Sequence, residues 1–199
     1  MARKPKDAQA LPDLNEIESV MGQVRSKGRF RQSLKGTIGT LLVVAAIAVI
    51  IAFILLPVLK ITNGHNMEPG FQPGDIVLLY KTNKAEKGDV CAFYFNNKLL
   101  LRRVIAKEGD NVTIDEHGYV KVNDEILEEN DYISEHTLGQ CDIDFPFRVP
   151  TGEIFVLGDN RGYALDSRAT NFGCVAQDAI YGKPLARVWP FNSLTWYGF

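Results

Sequence analysis

The run from Ile38 to Leu59, IGTLLVVAAIAVIIAFILLPVL, is 22 residues long and carries no charged side chain. A helix rising 1.5 Å per residue crosses a hydrocarbon core of about 30 Å over such a length. The apolar region of a cleaved secretory signal is shorter, about 7–15 residues, and is followed by a small-residue cleavage site. Here the run ends in Pro57-Val58-Leu59-Lys60. A buried core helix would need apolar surroundings that the rest of the chain does not supply. The run is therefore read as one transmembrane helix, residues 37–59, in contact with membrane lipid.

Charge gives that span a direction. Residues 1–36 hold 8 Lys/Arg against 4 Asp/Glu, and residues 60–199 hold 14 against 20. Lys and Arg crowd the cytoplasmic side of spans, so the N-terminal segment is expected in the cytoplasm and residues 60–199 outside. The acidic balance of the outer part opposes contact with phosphate backbones, so no nucleic-acid partner is expected. Within the basic segment, Asp13 and Glu16 have the spacing of a helix start. Leu14, Ile17, Val20, Met21 and Val24 then form one apolar stripe. A short amphipathic helix there would lie on the inner membrane surface, or dock a partner.

After the span the pattern turns to strands. Ile76–Tyr80, Val90–Phe95, Leu99–Ala106, Val112–Ile114, Tyr119–Val122, Ile154–Leu157 and Ile180–Val188 are rich in β-branched and aromatic residues. Turn residues separate them, and Asn123-Asp124 between Val122 and Glu125 predicts a tight hairpin. The fold class is mainly β: one outer domain over residues 60–199, with an insertion at about 130–150. The acidic run Asp124 to Asp131 reads as a solvated face. Cys91, Cys141 and Cys174 have no metal-ligand spacing, and no HExxH occurs. No metal or other cofactor is expected. A Cys141–Cys174 bridge is chemically open in an oxidising compartment.

The segment Ile61 to Lys81, ITNGHNMEPGFQPGDIVLLYK, joins span to strand through a shaped loop. Pro69 and Pro73 fix φ, while Gly70 and Gly74 allow turns. Three more blocks follow in order. They are Lys87-Gly88-Asp89-Val90, Leu101-Arg102-Arg103-Val104-Ile105-Ala106, and Gly158-Asp159-Asn160 running to Asp166-Ser167-Arg168. Together with the closing Arg187-Val188-Trp189-Pro190, these blocks resemble the type I signal peptidase family, Gram-positive type, over roughly residues 38–195.

That resemblance implies a β-rich peptidase domain behind one membrane span, with a Ser nucleophile, a Lys base and a second hydroxyl that orients the amine. The matching positions here are Asn66, Arg102 and Ala164. A carboxamide has no nucleophilic hydroxyl, a guanidinium keeps its proton, and Ala offers no hydrogen bond. The family's supporting residues have counterparts at Gly64, Met67, Pro69, Arg103, Gly158, Asp159, Asn160, Asp166, Ser167 and Arg168. The expectation is a signal-peptidase-like protein without the catalytic step. It would bind an extended segment of an exported protein, a signal peptide or a pilin-like client, in an accessory role such as pilus assembly. The alternatives are an active signal peptidase I using other chemistry, beginning with His65, and a decoy that competes for signal peptides. A hydrogen bond from the Arg102 guanidinium to the Asn66 carbonyl is also expected.

Overall fold

The computed structural model describes residues 35–52, 56–62 and 64–197, so the expected amphipathic stripe from Leu14 to Val24 lies outside the described residues. The chain divides into two units, Met1–Ala52 and Phe53–Phe199.

In the first unit, helix α1 spans Lys35–Ala52 and is long and apolar enough to cross a membrane. Its 18 residues rise about 27 Å. The end of the expected span needs correcting. Val58–Lys60 is not helical but forms strand β1, paired with the strand that follows it. Pro57 supplies a reason: it has no N–H and disfavours helix in the residue before it. Its carbonyl accepts a sheet-like bond from the Leu79 N–H at 2.8 Å.

The second unit contains two antiparallel sheets. The larger holds β1, β2 (Ile76–Tyr80), β3 (Val90–Phe95), β4 (Lys98–Lys107), β9 (Glu153–Leu157), β10 (Val175–Ala176), β11 (Ile180–Trp189) and β12 (Thr195–Trp196). Its strands lie in the order β1-β2-β11-β3-β4-β9-β10, with β12 added to β11. β11 serves both neighbours: its start pairs with β3 and its end with β2, with register shifts between Ile180 and Gly182 and on either side of Ala186–Arg187. Such bulges bend and twist a long strand. The smaller sheet holds β5 (Asn111–Ile114), β6 (Val120–Val122), β7 (Glu125–Ile126) and β8 (Phe147–Arg148), ordered β7-β6-β5-β8.

The predicted hairpin is present, joining β6 to β7. Asn123 and Asp124 have φ of +53° and +70°. Two successive left-handed residues match the right-handed twist of the strands, at a steric cost that Asn and Asp bear better than others. Asp124→Val is expected to lower unfolding free energy by about 1–2 kcal/mol, while Asp124→Gly holds or raises it. Urea titration of the two variants checks this.

Three apolar clusters fill the second unit. One packs Phe93, Val104, Ile154 and Val156 with Phe172. Another joins the smaller sheet to the larger through Val112, Val120, Phe155 and Leu157. The third holds Met67, Phe71, Val77, Leu79, Ala92 and Leu101. It seats the Met67–Phe71 loop on the large sheet, where Phe71 stacks on Tyr197 with ring centroids 4.9 Å apart.

No disulfide joins Cys141 to Cys174; all three cysteines are free thiols. Burial pushes the Cys91 and Cys174 thiols up to about 12. The thiolate is the reactive form. Iodoacetamide at pH 8 is therefore expected to leave Cys91 and Cys174 of the folded protein unmodified and to label both in denaturant, read by mass spectrometry.

Candidate functional site

The loop from Ile61 to Asp75 is held at both ends. Ile61 N–H donates to the Asp75 carbonyl at 2.9 Å, and Gly74 N–H donates to the Ile61 carbonyl at 2.7 Å. The Asp75 carboxylate is buried, accepting from Gln72 N–H at 2.9 Å and from Arg187 Nη1 at 3.0 Å. Arg187 also reaches the Gly70 carbonyl at 3.1 Å. The Pro-Gly-Asp turn is thereby a fixed platform for Gly64 to Phe71.

Asn66 and Ala164 meet at Gly158, and Arg102 shares a groove with Asn66. Asn160 N–H donates to the Asn66 carbonyl oxygen at 3.0 Å, tying the first block to the third. A Cβ at Gly158 would collide with the Ala164 Cβ and lie 2.6 Å from the Asn66 carbonyl oxygen, so only glycine allows this approach. Asn66 and Arg102 line one groove of about 660 Å³. Its other walls include Leu59, Ile61, Phe71, Leu99, Leu101 and Leu165. Gly64 and Met67 line it too, with Gly64 at φ +96°.

The expected Asn66–Arg102 hydrogen bond is not formed. Arg102 Nε and Nη2 both donate to the Leu165 carbonyl, at 3.0 and 2.6 Å, and Nη1 donates to the Leu101 carbonyl at 2.6 Å. The guanidinium reaches across to the Gly158–Arg168 loop and secures it. Arg102 is 3% exposed, and that burial lowers its pKa, though a guanidinium stays protonated.

The remaining expected residues form a buried ionic scaffold. Arg103 Nε and Nη2 bridge both oxygens of Asp159 at 2.8 and 2.7 Å, under the face of Tyr132. Burial raises the Asp159 carboxyl, and the Arg103 bonds pull against it. Arg168 Nε and Nη2 bridge Asp166 at 2.8 Å each, with both side chains fully buried. Asp166 also accepts from Gly158 N–H at 2.9 Å. Ser167 Oγ accepts from Val156 N–H at 3.0 Å and is buried, a structural role. Pro69, Arg103 and Asp159 line a separate hollow of about 390 Å³, apart from Asn66 and Arg102.

Sequence reasoning missed Glu129. It is not on a solvated face: it is 1% exposed and bridges Arg161, whose Nε donates to the Gly158 carbonyl at 3.0 Å. Only the tertiary fold brings residues 129 and 161 together. The apolar groove wall had a local signal, the consecutive leucines Leu99, Leu100 and Leu101 of β4.

His65 Nδ1 lies 2.7 Å from Glu68 Oε1, and its ring is edge-on to Tyr163 at 6.0 Å. A His–carboxylate pair is half of a nucleophile-activating relay. Its hydroxyl partner is missing: no Ser, Thr or Cys in the groove bonds a basic side chain among the described residues. His117 and His136 lie elsewhere, His136 stacked on Tyr119 at 4.2 Å.

The chain thus combines a membrane-length helix, a two-sheet β unit and a loop-lined groove. Residues 34–189 match the family described as signal peptidase, peptidase S26. The chain belongs to that family. It is 35% identical over 150 residues to signal peptidase IB of Staphylococcus aureus, covering 65% of this chain and 76% of that protein. It is 32% identical over 142 residues to thylakoidal processing peptidase 1 of Arabidopsis thaliana. That match covers 63% of this chain and 40% of the plant protein, so the chain spans less than half the length of that relative. A crystal structure of a signal peptidase I from Enterococcus faecalis aligns at TM-score 0.41 and 26% identity, over 50% of this chain and 96% of that one.

Proposed function

We propose that this chain is a membrane-anchored, signal-peptidase-I-like protein that binds an extended segment of an exported protein without cleaving it. The observation that carries this reading is what stands at three neighbouring positions: Asn66 and Arg102 in one groove, and Ala164 against Gly158 beside the Asn66 carbonyl oxygen. Asn66 supplies a carboxamide, Arg102 a permanently charged guanidinium tied to the Leu165 carbonyl, and Ala164 no hydroxyl. The groove has a volume of about 660 Å³ and is walled largely by Leu, Ile and Phe side chains, which suits the apolar side chains of a bound peptide. An N-terminal cytoplasmic segment and an outward β unit follow from the charge bias across α1. A signal peptide or pilin-like client, and an accessory role in surface-protein assembly, fit a groove that holds but does not cut.

A second reading is an active signal peptidase. The family match and the names of the relatives favour it, with His65 and Glu68 as the first residues to question. Incubating the full chain in detergent with a preprotein separates the two. The binding role predicts retention of the preprotein on the immobilised chain with no processed band. Cleavage at the normal signal site would overturn it.

A further inference from the structure

Four arginines of the second unit cluster around the Gly158–Arg168 loop, and three have a carboxylate partner: Arg103 with Asp159, Arg161 with Glu129, Arg168 with Asp166. Arg102 has none. Its acceptors are two neutral backbone carbonyls. The carboxylates whose charge it feels, Asp166 and Asp159, are already bridged by Arg168 and Arg103. A guanidinium carries five N–H donors. Arg102 uses one from each nitrogen, so the second N–H on Nη1 and on Nη2 bonds no protein atom among the described residues. A buried cation without a contacting anion is costly, and native proteins pair such charges.

The groove repeats this bias at its rim. Its lining carries Lys60, Lys98 and Arg102 and, among the described residues, no Asp or Glu. Lys60 and Lys98 are exposed, and neither takes part in an ion pair among the described residues. Yet residues 60–199 hold 20 Asp/Glu against 14 Lys/Arg. Lining charges of one sign, in a domain with an acidic balance, mark what the groove takes.

We infer that the groove holds an extended apolar segment bearing an Asp or Glu side chain opposite Arg102, with further acidic residues towards Lys60 and Lys98. This rests on the groove being a peptide site, as proposed above. The entering carboxylate accepts the spare Nη N–H bonds and supplies the anion that Arg102 lacks. Leu59, Ile61, Leu99 and Leu101 cover the neighbouring apolar side chains. Gln in place of that Glu keeps the shape and loses the charge.

Fluorescence anisotropy with the full chain in neutral detergent tests this. The probes are labelled ten-residue apolar peptides, blocked at both ends, with a central Glu, Gln or Lys. A fourth probe has central Gln and a free C-terminal carboxylate. The Glu peptide is expected to bind about tenfold or more tighter than the Gln peptide, the scale of a charge-assisted bond, and the Lys peptide weakest. Arg102→Gln should erase the preference. Because that variant removes a buried bond to the Leu165 carbonyl, Lys60→Ser/Lys98→Ser, changed only at exposed positions, is measured beside it. That double variant should narrow the preference about threefold or more at low salt, where exposed charges are least screened. Equal binding of the three blocked peptides would overturn the inference and leave the groove reading intact. So would a Glu preference unchanged in every variant that folds. Binding of the free-C-terminal probe alone would replace the side-chain carboxylate with a cleaved peptide's end. No binding of any probe would overturn the groove reading itself.

Discussion

An Arg168→Met protein is expected to lose about 3–5 kcal/mol of unfolding free energy, the largest single-site loss anticipated here. Arg168 and Asp166 are both fully buried, and the guanidinium bridges both carboxylate oxygens at 2.8 Å. It also donates to the Leu138 carbonyl at 2.6 Å and the Arg161 carbonyl at 2.9 Å. Removing it strands a carboxylate away from water and leaves two carbonyls short of a donor. Domains of this size hold about 5–15 kcal/mol in total, so the variant should be marginal. Asp166→Asn added to Arg168→Met removes the stranded charge, while its carbonyl oxygen still accepts from Gly158 N–H. That double variant should recover half or more of the loss. The exposed pair Lys107–Glu86, at 3.0 Å, makes the contrast. Glu86→Gln should cost under about 1 kcal/mol, because water screens the pair. Guanidinium titrations followed by tryptophan fluorescence give all three values. An Arg168→Met midpoint close to the native one would show that the pair does not hold this loop in place.

The same loop explains which parts of the molecule the sequence could reveal. Strands β2 and β3 have the expected bounds, β5, β6, β9 and β11 differ from expectation by a residue at one end and β4 by a residue at each end, because alternation and turn residues are local signals. β8, β10 and β12 hold two residues each, too few for any period to show. β1 was hidden differently. Val58-Leu59 has the composition of a span and of a buried strand alike, and only pairing with Leu78 and Val77 decides between them. The site follows the same division. Placing Asn66, Arg102 and Ala164 near one another came from the resemblance to the signal peptidase family, carried over motif by motif. The hydrogen bonding of Arg102 did not follow from that resemblance, because its side chain is long enough to choose between Asn66 and the Leu165 carbonyl. Glu129 looked like surface, since the charge that buries with it lies 32 residues away. Ser167 was legible as structural, and its bond to Val156 N–H gives the reason.

Placing hydroxyls at positions 66 and 164 and an amine at position 102 is expected to produce the largest functional change. A protein carrying Asn66→Ser, Arg102→Lys and Ala164→Ser should cleave a preprotein at least about 10³-fold faster than the native chain, since a positioned base and a covalent nucleophile each contribute on that scale. The geometry favours these substitutions. Positions 66 and 102 line the same groove, and position 164 abuts Gly158 beside the Asn66 carbonyl oxygen. Position 102 is 3% exposed, and burial already lowers the pKa of the arginine there. The same burial would disfavour the charged form of a lysine, whose amine, unlike a guanidinium, can be neutral near pH 7. Lys also gives up the two bonds to the Leu165 carbonyl, which frees its amine to face position 66. Each single variant should remain near the native rate, because a hydroxyl without a base and a base without a hydroxyl both leave the reaction unassisted. Single-turnover assays on the native chain, the three single variants and the triple variant read this directly. A triple variant that folds, binds preprotein and stays silent would mean that these three positions do not converge on a scissile bond. A native chain that matches the triple variant would mean that the nucleophile lies elsewhere in the groove, and the binding role would fall with it.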